Sequence, residues 1–320
     1  MPTLKGALIP KISEKTYLFG ASPLTSLQKV LQEDGQWDSW LPDYEIQRSQ
    51  FWTKETYGCV SYSNNNSKEI LFKRMFGYDI NIDDRDLVVG SGTVFGIGND
   101  IISVAEYHRK NGFILERANT TYQELEPSEY YKWERDEEAK KEAINSLELF
   151  TLGYELFSRE SGTTVSSAKL IEGLKYAPIQ VTVDGRYTYD ENGCVCRNDI
   201  VYSHEVVLIG YVLNPDLSVK YWKVFDSSND KIMKFCGSYR FGYPMINTLI
   251  PKNSMKLFRK KGQPAIYFLN PKDNKLVAYA DGVLTGGDLF KILFSEYKFA
   301  PTEVVDELPY PVADYEITTK

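Results

Sequence analysis

Histidine, cysteine and long apolar runs are scarce in this sequence. Its 320 residues include two histidines and four cysteines, and the net charge is −7. The apolar run EVVLIGYVL is far too short to span a bilayer, and the first residues, MPTLKGALIPKISEK, lack the continuous apolar core of a signal peptide. No basic cluster alternates with aromatic residues. These absences argue against a membrane span, a secretory leader and nucleic-acid binding, and they favour synthesis in a cytoplasm.

The cysteines are too few for a disulfide scaffold. Cys194 and Cys196, in the sequence CVC, offer half of a metal site, and Cys59, Cys236 and the two histidines could supply the rest. A four-ligand zinc site is therefore an open alternative, but free thiols in a turn explain the pair more simply. We expect neither a metal nor a cofactor.

The first half of the chain has helical periodicity. A helix is predicted over residues 58–77, and GNDIISVAEYHRKNG predicts another, capped by Asn99 or Asp100 and ended by Gly112. The charged run PSEYYKWERDEEAKKEAINSLE predicts a third, solvated helix. Residues 1–50 are rich in turns and indicate a meandering arm.

Beyond residue 149 extended segments dominate. LFTLGYELFS, PIQVTVDG, HEVVLIGYVL and VKYWKVFDSS each predict a strand, and TTVSSAKLIEGLKYA predicts a capped helix. Pro251 to Pro264 is a basic junction, after which AIYFLNPKDNKLVAYA predicts a hairpin and GGDLFKILF a short helix. Helices followed by strands indicate an α+β fold of two lobes with a small C-terminal module.

Cys59 is the candidate nucleophile. It stands at the start of the first predicted helix, where unpaired N–H groups and the helix dipole favour a thiolate with a lowered pKa. Gly58, with no side chain, would let a substrate approach the backbone closely. A lone cysteine is more often a small buried packing residue, so the interpretation depends on a base beside it.

Two later residues could complete a catalytic set. His204 begins an apolar strand after a polar turn, which would hold its imidazole near the surface as a general base. His108 lies inside an amphipathic helix, where a packed or half-exposed role fits better. Asp226 ends the next strand, and adjacent antiparallel strands bring these two ends to one edge. A strand-end histidine in water and a turn aspartate are the alternatives.

An acyl-transfer site also needs hydrogen-bond donors for the oxyanion. The backbone N–H of Cys59 is one candidate. The segment YEIQRSQ offers the side chain of Gln47 or Gln50 as a second. A surface glutamine is the alternative for either residue.

The order Gln, Cys, His, Asp resembles that of the papain-like cysteine peptidases. His204 follows Cys59 by 204 − 59 = 145 residues, within the spacing of about 130–150 typical of that family. DRDLVVGSGTVFGIGNDIISVAEYHRKNGFI is similar to the family's Gly-rich turn and helix, and SSAKLIEGLKYAPIQVTVDG to the helix and strand before its histidine. HEVVLIGY and YWKVFDSS are similar to its histidine and asparagine segments. The resemblance runs roughly from Pro42 to Ile250.

The sequence also departs from that family. Val60 replaces the tryptophan after the nucleophile, Asp226 replaces the asparagine, and a second tryptophan is replaced near Ser228. The usual lobe disulfides lack their cysteines, and the loop between Gln47 and Cys59 is longer. The segment GQWDSWLPDYEIQ…ETYGCVSYS is most similar to divergent papain-like proteins of bacteriophages.

The resemblance implies a role for each candidate residue. Cys59 is the nucleophile, His204 the base and acid, and Asp226 the group that orients the imidazole. Gln47 is the preferred oxyanion donor, because it lies in an extended run as the family's glutamine does, and Gln50 is the reserve. At the turn where the family's backbone holds an extended peptide substrate, this chain has Gly98 and Asn99, the latter in place of a glycine.

The implied fold is papain-like: a helical lobe and an antiparallel, barrel-like β lobe. The predicted divisions are an N-terminal arm at 1–41, a peptidase domain at 42–250 with lobes at about 50–148 and 149–250, and a linker and C-terminal module at 251–320.

The predicted function is cysteine-type hydrolysis of peptide bonds in a peptide or protein. Acyl transfer or amide hydrolysis on another substrate, such as peptidoglycan stem peptides, is one alternative. Another is a bacteriophage virion protein that keeps the fold, binds other virion proteins and has lost or subordinated catalysis. In that case the chain, made in a cytoplasm, would end up in a virion.

Overall fold

The computed structural model describes residues 6–24, 27–42, 56–77, 79–116, 125–160, 165–196, 203–228 and 232–252, and the backbone of five strands beyond them. Two short strands and a set of helices occupy the first half: β1 (Ala7–Leu8), α1 (Cys59–Phe76), α2 (Asp84–Gly90), β2 (Asn99–Asp100), α3 (Ile101–Asn111), α4 (Pro127–Tyr130) and α5 (Glu137–Leu149). After them come β3 (Phe150–Leu156), α6 (Ser167–Leu174), β4 (Ile179–Val183), β5 (His204–Leu213), β6 (Val219–Phe225), β7 (Ile232–Cys236) and β8 (Gly242–Pro251).

The helix α1 runs through the middle of the molecule. All of its residues except Lys73 and Arg74 are buried, and Gly77 ends it in the left-handed conformation with φ of +75°. Its polar residues reach the sheet: Asn64 donates to Asn247 over 2.8 Å, and Gln180 donates to the carbonyl of Val60 over 3.0 Å. These hydrogen bonds satisfy polar groups that burial would otherwise make costly.

The helix α3 confirms its prediction. The Asp100 side chain accepts hydrogen bonds from the N–H groups of Ile102 and Ser103, and the chain leaves the helix at Gly112.

The prediction of a single third helix is wrong, because this stretch forms two helices, α4 and α5. Residues between them turn toward the buried carboxylate of Asp86, which accepts hydrogen bonds from Trp133 over 3.1 Å and from Arg135 over 2.6 and 2.8 Å. The Asp136 side chain then caps α5. A distant buried carboxylate therefore interrupts a locally favourable helix.

Six antiparallel strands form the main sheet, in the order β3-β8-β4-β5-β6-β7. In its register Val183 pairs with His204, and Val207 pairs with Phe225. Asp226, which follows Phe225, therefore reaches the sheet edge at which β5 begins. The strands β7 and β8 were not predicted. Helices followed by antiparallel strands confirm the α+β prediction, and among the described residues no helix is long and apolar enough to cross a membrane.

Beyond the main sheet, five strands form a second antiparallel sheet: β9 (Lys256–Lys260), β10 (Ile266–Leu269), β11 (Leu276–Tyr279), β12 (Thr302–Val305) and β13 (Tyr315–Thr319). The predicted hairpin is confirmed, since β10 pairs with β11. The basic junction from Pro251 to Pro264 also contains β9, a strand that the sequence analysis did not predict, which pairs with β10 and β13. The predicted helix GGDLFKILF lies outside the described residues.

A disulfide joins Cys196 and Cys236, so the expectation that Cys196 is a free thiol in a turn is wrong. Backbone hydrogen bonds align the two segments: Val195 donates to Lys234 over 2.8 Å, and Cys236 donates to Val195 over 2.9 Å. This alignment joins residues 40 positions apart, which local patterns do not reveal. Cys194 is free and buried.

Candidate active site

His204 and Asp226 form a buried pair where β5 begins and β6 ends. The imidazole Nε2 lies 2.8 Å from Asp226 Oδ1. Tyr187 donates its hydroxyl to Oδ2 over 2.6 Å, and Ser228 donates its backbone N–H to Oδ1 over 2.9 Å and its hydroxyl over 2.8 Å. The carboxylate is therefore held from three sides.

The two groups shift each other's pKa. Burial alone would raise the pKa of Asp226, but the charge and hydrogen bond of His204, with the Tyr187 hydroxyl, hold it below its usual value. Burial alone would lower the pKa of His204, but the charge and hydrogen bond of Asp226 outweigh it and raise that pKa well above its ordinary range. The carboxylate therefore makes His204 a stronger base, because it stabilises the imidazolium that forms when the imidazole takes up a proton.

Cys59 begins α1 and completes a row of three groups. Its thiol lies beside the imidazole of His204, whose hydrogen bonding and charge act to lower the pKa of the thiol. Since Nε2 of His204 is directed to Asp226, the nitrogen left for the sulfur is Nδ1. The structure thus brings together the three residues predicted as nucleophile, base and orienting group; their catalytic roles stay a prediction.

The thiol is deeply covered, and this affects its acidity. Cys59 is 1% exposed. Burial raises its pKa above the ordinary value, although the hydrogen bond and charge of His204 and the N–H of Glu205 act in the opposite direction. The lowered pKa expected for a free nucleophile is therefore wrong for this covered conformation, in which desolvation dominates.

The glycine before the nucleophile has a packing role. A methyl group added to Gly58 would lie 2.6 Å from Cγ2 of Val88 and 3.3 Å from the ring of Tyr62. The expectation that Gly58 leaves room for a substrate is thus replaced by a simpler one: it lets α2 pack against the start of α1.

The predicted substrate-binding residues lie against the chain's own first described residues. The backbone N–H of Asn99 donates to the carbonyl of Gly6 over 2.9 Å. The Asn99 side chain turns inward and donates to Ser91 and Thr93. Gly98 has φ of +102°, and its Cα faces the Gly6 carbonyl so closely that a methyl group would collide with it. Only glycine suits this position.

The predicted oxyanion donors Gln47 and Gln50 lie outside the described residues, so their role stays a prediction.

Sequence reasoning missed Tyr187, which has no local signal because its contact with Asp226 spans 39 positions. Ser228 had a signal, since Asp-Ser-Ser favours a turn in which the serine contacts the aspartate. His108 is buried, in agreement with its predicted packed role.

Comparison with known proteins identifies the fold. No family model and no curated protein matches the sequence. Among solved structures, a recombinant stem bromelain precursor is 15% identical, with 78% of this chain and 77% of that chain covered and a TM-score of 0.50. Procathepsin L 3 of the Tenebrio molitor larval midgut is 16% identical, with coverage of 77% and 76% and a TM-score of 0.49.

A third similar structure is the cysteine protease Amb a 11, a ragweed pollen allergen, in its proform. It is 12% identical and has a TM-score of 0.44. The match covers 67% of this chain and 65% of the length of Amb a 11. The structures similar to this chain are thus papain-like cysteine proteases, and the predicted papain-like fold is confirmed. The bacteriophage resemblance gains no support from the comparisons.

Proposed function

We propose that this chain is a cysteine peptidase that hydrolyses peptide bonds in a peptide or protein. The row Cys59–His204–Asp226 is the observation that carries the proposal. A thiol beside an imidazole, whose far nitrogen is held by a carboxylate, is the arrangement that cysteine-type acyl transfer needs. The papain-like fold supports the same reaction class by analogy.

In the proposed reaction the Cys59 thiol passes its proton to His204, and the sulfur forms a bond to the carbonyl carbon of the substrate. The backbone N–H of Cys59 and the side chain of Gln47, or Gln50, donate to the oxyanion. His204 returns the proton to the leaving amine as the C–N bond breaks. Water, deprotonated by His204, then hydrolyses the thioester and restores the thiol.

Asp226 has a defined role in this proposed reaction. It keeps the proton on Nε2, so that Nδ1 is the nitrogen that exchanges protons with the sulfur. Its negative charge stabilises the imidazolium formed when the thiol ionises. Tyr187 and Ser228 hold the carboxylate in place.

Labelling with a peptide carrying an epoxide or vinyl sulfone tests the proposal. We expect the label on Cys59, and peptide hydrolysis to fall by a factor of about 10³ or more in Cys59→Ala and in His204→Ala. Cys194→Ala is the matched control, because Cys194 is also a free, buried thiol but lies outside the row. Labelling of Cys194 in preference to Cys59 in the folded chain would refute the assignment.

The rival function is a binding or virion component built on the same fold. The raised pKa of Cys59 is the observation that favours it, because a protonated thiol is a poor nucleophile. On this alternative, Cys59→Ala leaves binding to a protein partner unchanged and the parent chain hydrolyses no peptide. Association with a virion and the substrate class remain predictions from sequence.

A further inference from the structure

Three side chains with metal-ligating atoms converge beside the sequence CVC. One ligand atom from each of Asp190, Cys196 and Cys236 lies within 4.8 Å of the other two. Asp190 Oδ2 is 3.4 Å from the Cys196 sulfur and 3.8 Å from the Cys236 sulfur. Asp190 is exposed and both cysteines are partly exposed, so water and small ions reach the group.

The turn that carries Asp190 fixes the direction of its carboxylate. Oδ1 accepts hydrogen bonds from the backbone N–H groups of Asn192 over 2.9 Å and of Cys194 over 2.8 Å. The N–H of Asp190 donates to the carbonyl of Cys194 over 2.9 Å. Oδ2 is therefore left to face both sulfurs. Hydrogen bonds of this kind to the far oxygen hold a metal-binding carboxylate in place.

Backbone pairing brings the two cysteines together independently of the bond between their sulfurs. Val195 donates to the carbonyl of Lys234 over 2.8 Å and accepts from the N–H of Cys236 over 2.9 Å. The Cα atoms of Cys196 and Cys236 lie 5.1 Å apart. The two sulfurs would therefore stay neighbours after the disulfide is reduced.

The distances at this group are those of a tetrahedral zinc site. Zinc binds a sulfur at about 2.3 Å and an oxygen at about 2.1 Å, so a tetrahedral angle places the sulfur and the oxygen about 3.6 Å apart. Asp190 Oδ2 already has 3.4 and 3.8 Å to the two sulfurs. Only the sulfurs have to separate, to about 3.8 Å, once the bond between them is broken.

The charges around the group also suit zinc. Two thiolates and a carboxylate exceed the charge of Zn²⁺ by one negative charge. Burial and Asp190 raise the pKa of the neighbouring Cys194 thiol, whereas the charges of Lys234 and Lys220 act to lower it. The two lysines are therefore near enough to offset the excess negative charge.

We propose that Asp190, Cys196 and Cys236 form a Zn²⁺ site in the reduced chain, with water as the fourth ligand, and that zinc and the disulfide are alternative states of the same group. A dithiol transfers two electrons and two protons to the disulfide, which yields two thiols and an oxidised dithiol. Zinc then binds both sulfurs as thiolates and releases two protons. Cys236 thus takes the place that the sequence CVC would have given to Cys194. The site does not depend on the proposed peptidase function.

Cobalt substitution tests the site in the full chain. The chain is reduced with dithiothreitol, separated from it without oxygen and titrated with Co²⁺, which reports tetrahedral thiolate coordination by visible d–d bands and a sulfur-to-metal charge-transfer band. We expect both signals to saturate at one equivalent and to disappear when Zn²⁺ is added. The oxidised chain should show neither. Equal spectra for the two forms, or no such bands in the reduced, folded chain, would overturn the proposal.

Variants locate the metal. In the reduced chain Asp190→Asn should lower the zinc affinity by about ten-fold or more, because it removes an anionic ligand and keeps the shape of the side chain. Cys194→Ser is the matched control, since Cys194 is a free thiol in the same turn, and it should bind as the parent does. Cys59→Ala should also bind normally. Loss of binding in Cys59→Ala, with full binding in Asp190→Asn, would place the metal at the candidate active site and refute the proposal.

Two further measurements do not rely on cobalt. Native mass spectrometry of the reduced chain should show the mass of one zinc gained and that of two protons lost. At a free zinc concentration of ten times the dissociation constant, about a tenth of the pair is unprotected, so oxidation to the disulfide by diamide should slow about ten-fold. A chelator should restore the rate. An oxidation rate that zinc leaves unchanged would show that zinc does not bind these two sulfurs.

Discussion

At the scale of single residues, the pKa values of the two histidines of this chain are shifted in opposite directions, and their neighbours explain why. Burial alone would lower the pKa of His204, but the charge and hydrogen bond of Asp226 raise it well above its ordinary value. His108 is buried, neither of its ring nitrogens has a hydrogen-bond partner among the described residues, and burial with the nearby cations Lys68 and Arg135 lowers its pKa well below the ordinary value. Similar burial thus gives opposite results, because only one site supplies an anion.

Proton NMR of the imidazole resonances should therefore show no histidine that titrates near the ordinary pKa of about 6.5. One resonance should keep its protonated shift to clearly higher pH, and the other should stay neutral to clearly lower pH. In Asp226→Asn the first resonance should move to a lower pKa while the second is unchanged. Two ordinary titrations in the folded protein would contradict the geometry.

The same shifts have consequences for stability. Because the folded pKa of His204 is raised, its contribution is fully present below the unfolded value of about 6.5 and is lost as the pH rises through the folded pKa. His108 acts with the opposite sign, since its neutral folded form destabilises the protein as the pH falls below about 6.5. Asp226 adds stability above its unfolded pKa of about 3.9, and this is lost at lower pH.

At the scale of secondary-structure elements, α1 is unusual because a polar helix is enclosed by the protein. Lys68 is buried near its middle and donates to the side chain of Asn64. Burial lowers the pKa of Lys68 to about 7, against a smaller opposite effect of Glu69. The unfolded chain keeps this proton to about pH 10.4, so the unfolded state binds more protons between these two values.

Lys68→Met should reveal this linkage. The free energy of unfolding of the parent chain, minus that of the variant, should rise with pH between about 7 and 10, by up to about 1.4 kcal/mol per pH unit. Urea unfolding at several pH values measures it. Lys140→Met, at an exposed site in α5, should give a flat difference. A flat difference for Lys68 as well would show that its amine is not buried in solution.

The limits of prediction from sequence are clearest in these elements. The bounds of α1 and α3 follow from local signals, namely Gly77, Asp100 and Gly112. The partners that enclose α1 are distant, as in the contact of Asn64 with Asn247, 183 positions away. No local pattern could therefore show that a polar helix is buried.

For the candidate site, too, some features could be predicted from the sequence and others could not. The order of Cys59, His204 and Asp226 predicted which residues the fold would bring together. The contact of Tyr187 with Asp226 and the close approach of Gly6 to Cys59 each depend on tertiary packing between segments that are far apart in the sequence. Likewise Asp86, far from α4 and α5 in sequence, decides where that predicted helix is interrupted.

At the scale of the whole molecule, the second sheet and the main sheet are two separate hydrogen-bonded units. Its five strands pair in the order β12-β11-β10-β9-β13, and the six strands of the main sheet pair among themselves. The site residues Cys59, His204 and Asp226 all precede it. A cut after Lys252 lies beyond the end of β8 and separates the two sheets, whereas a cut after Lys261 would keep β9 without its partner strands.

A chain that ends at Lys252 should fold and keep the reactivity of Cys59 toward iodoacetamide within about two-fold, the size of an ordinary surface effect. A chain that ends at Lys261 should aggregate more, because β9 would present an unpaired edge. Alkylation kinetics and light scattering measure the two effects. Loss of thiol reactivity in a folded chain ending at Lys252 would mean that the second sheet contributes to the site.

The enclosure of α1 also determines how its backbone exchanges hydrogen with solvent. Amide protons of a helix covered on every side exchange only when the whole domain opens, whereas a two-residue strand is released by local fluctuation. In deuterium-exchange mass spectrometry, peptides from α1 should therefore be among the slowest to gain mass, and peptides spanning β1 should be far faster. Equal rates would mean that β1 and α1 open together, so that the Cys59 thiol would reach solvent only when the domain itself unfolds.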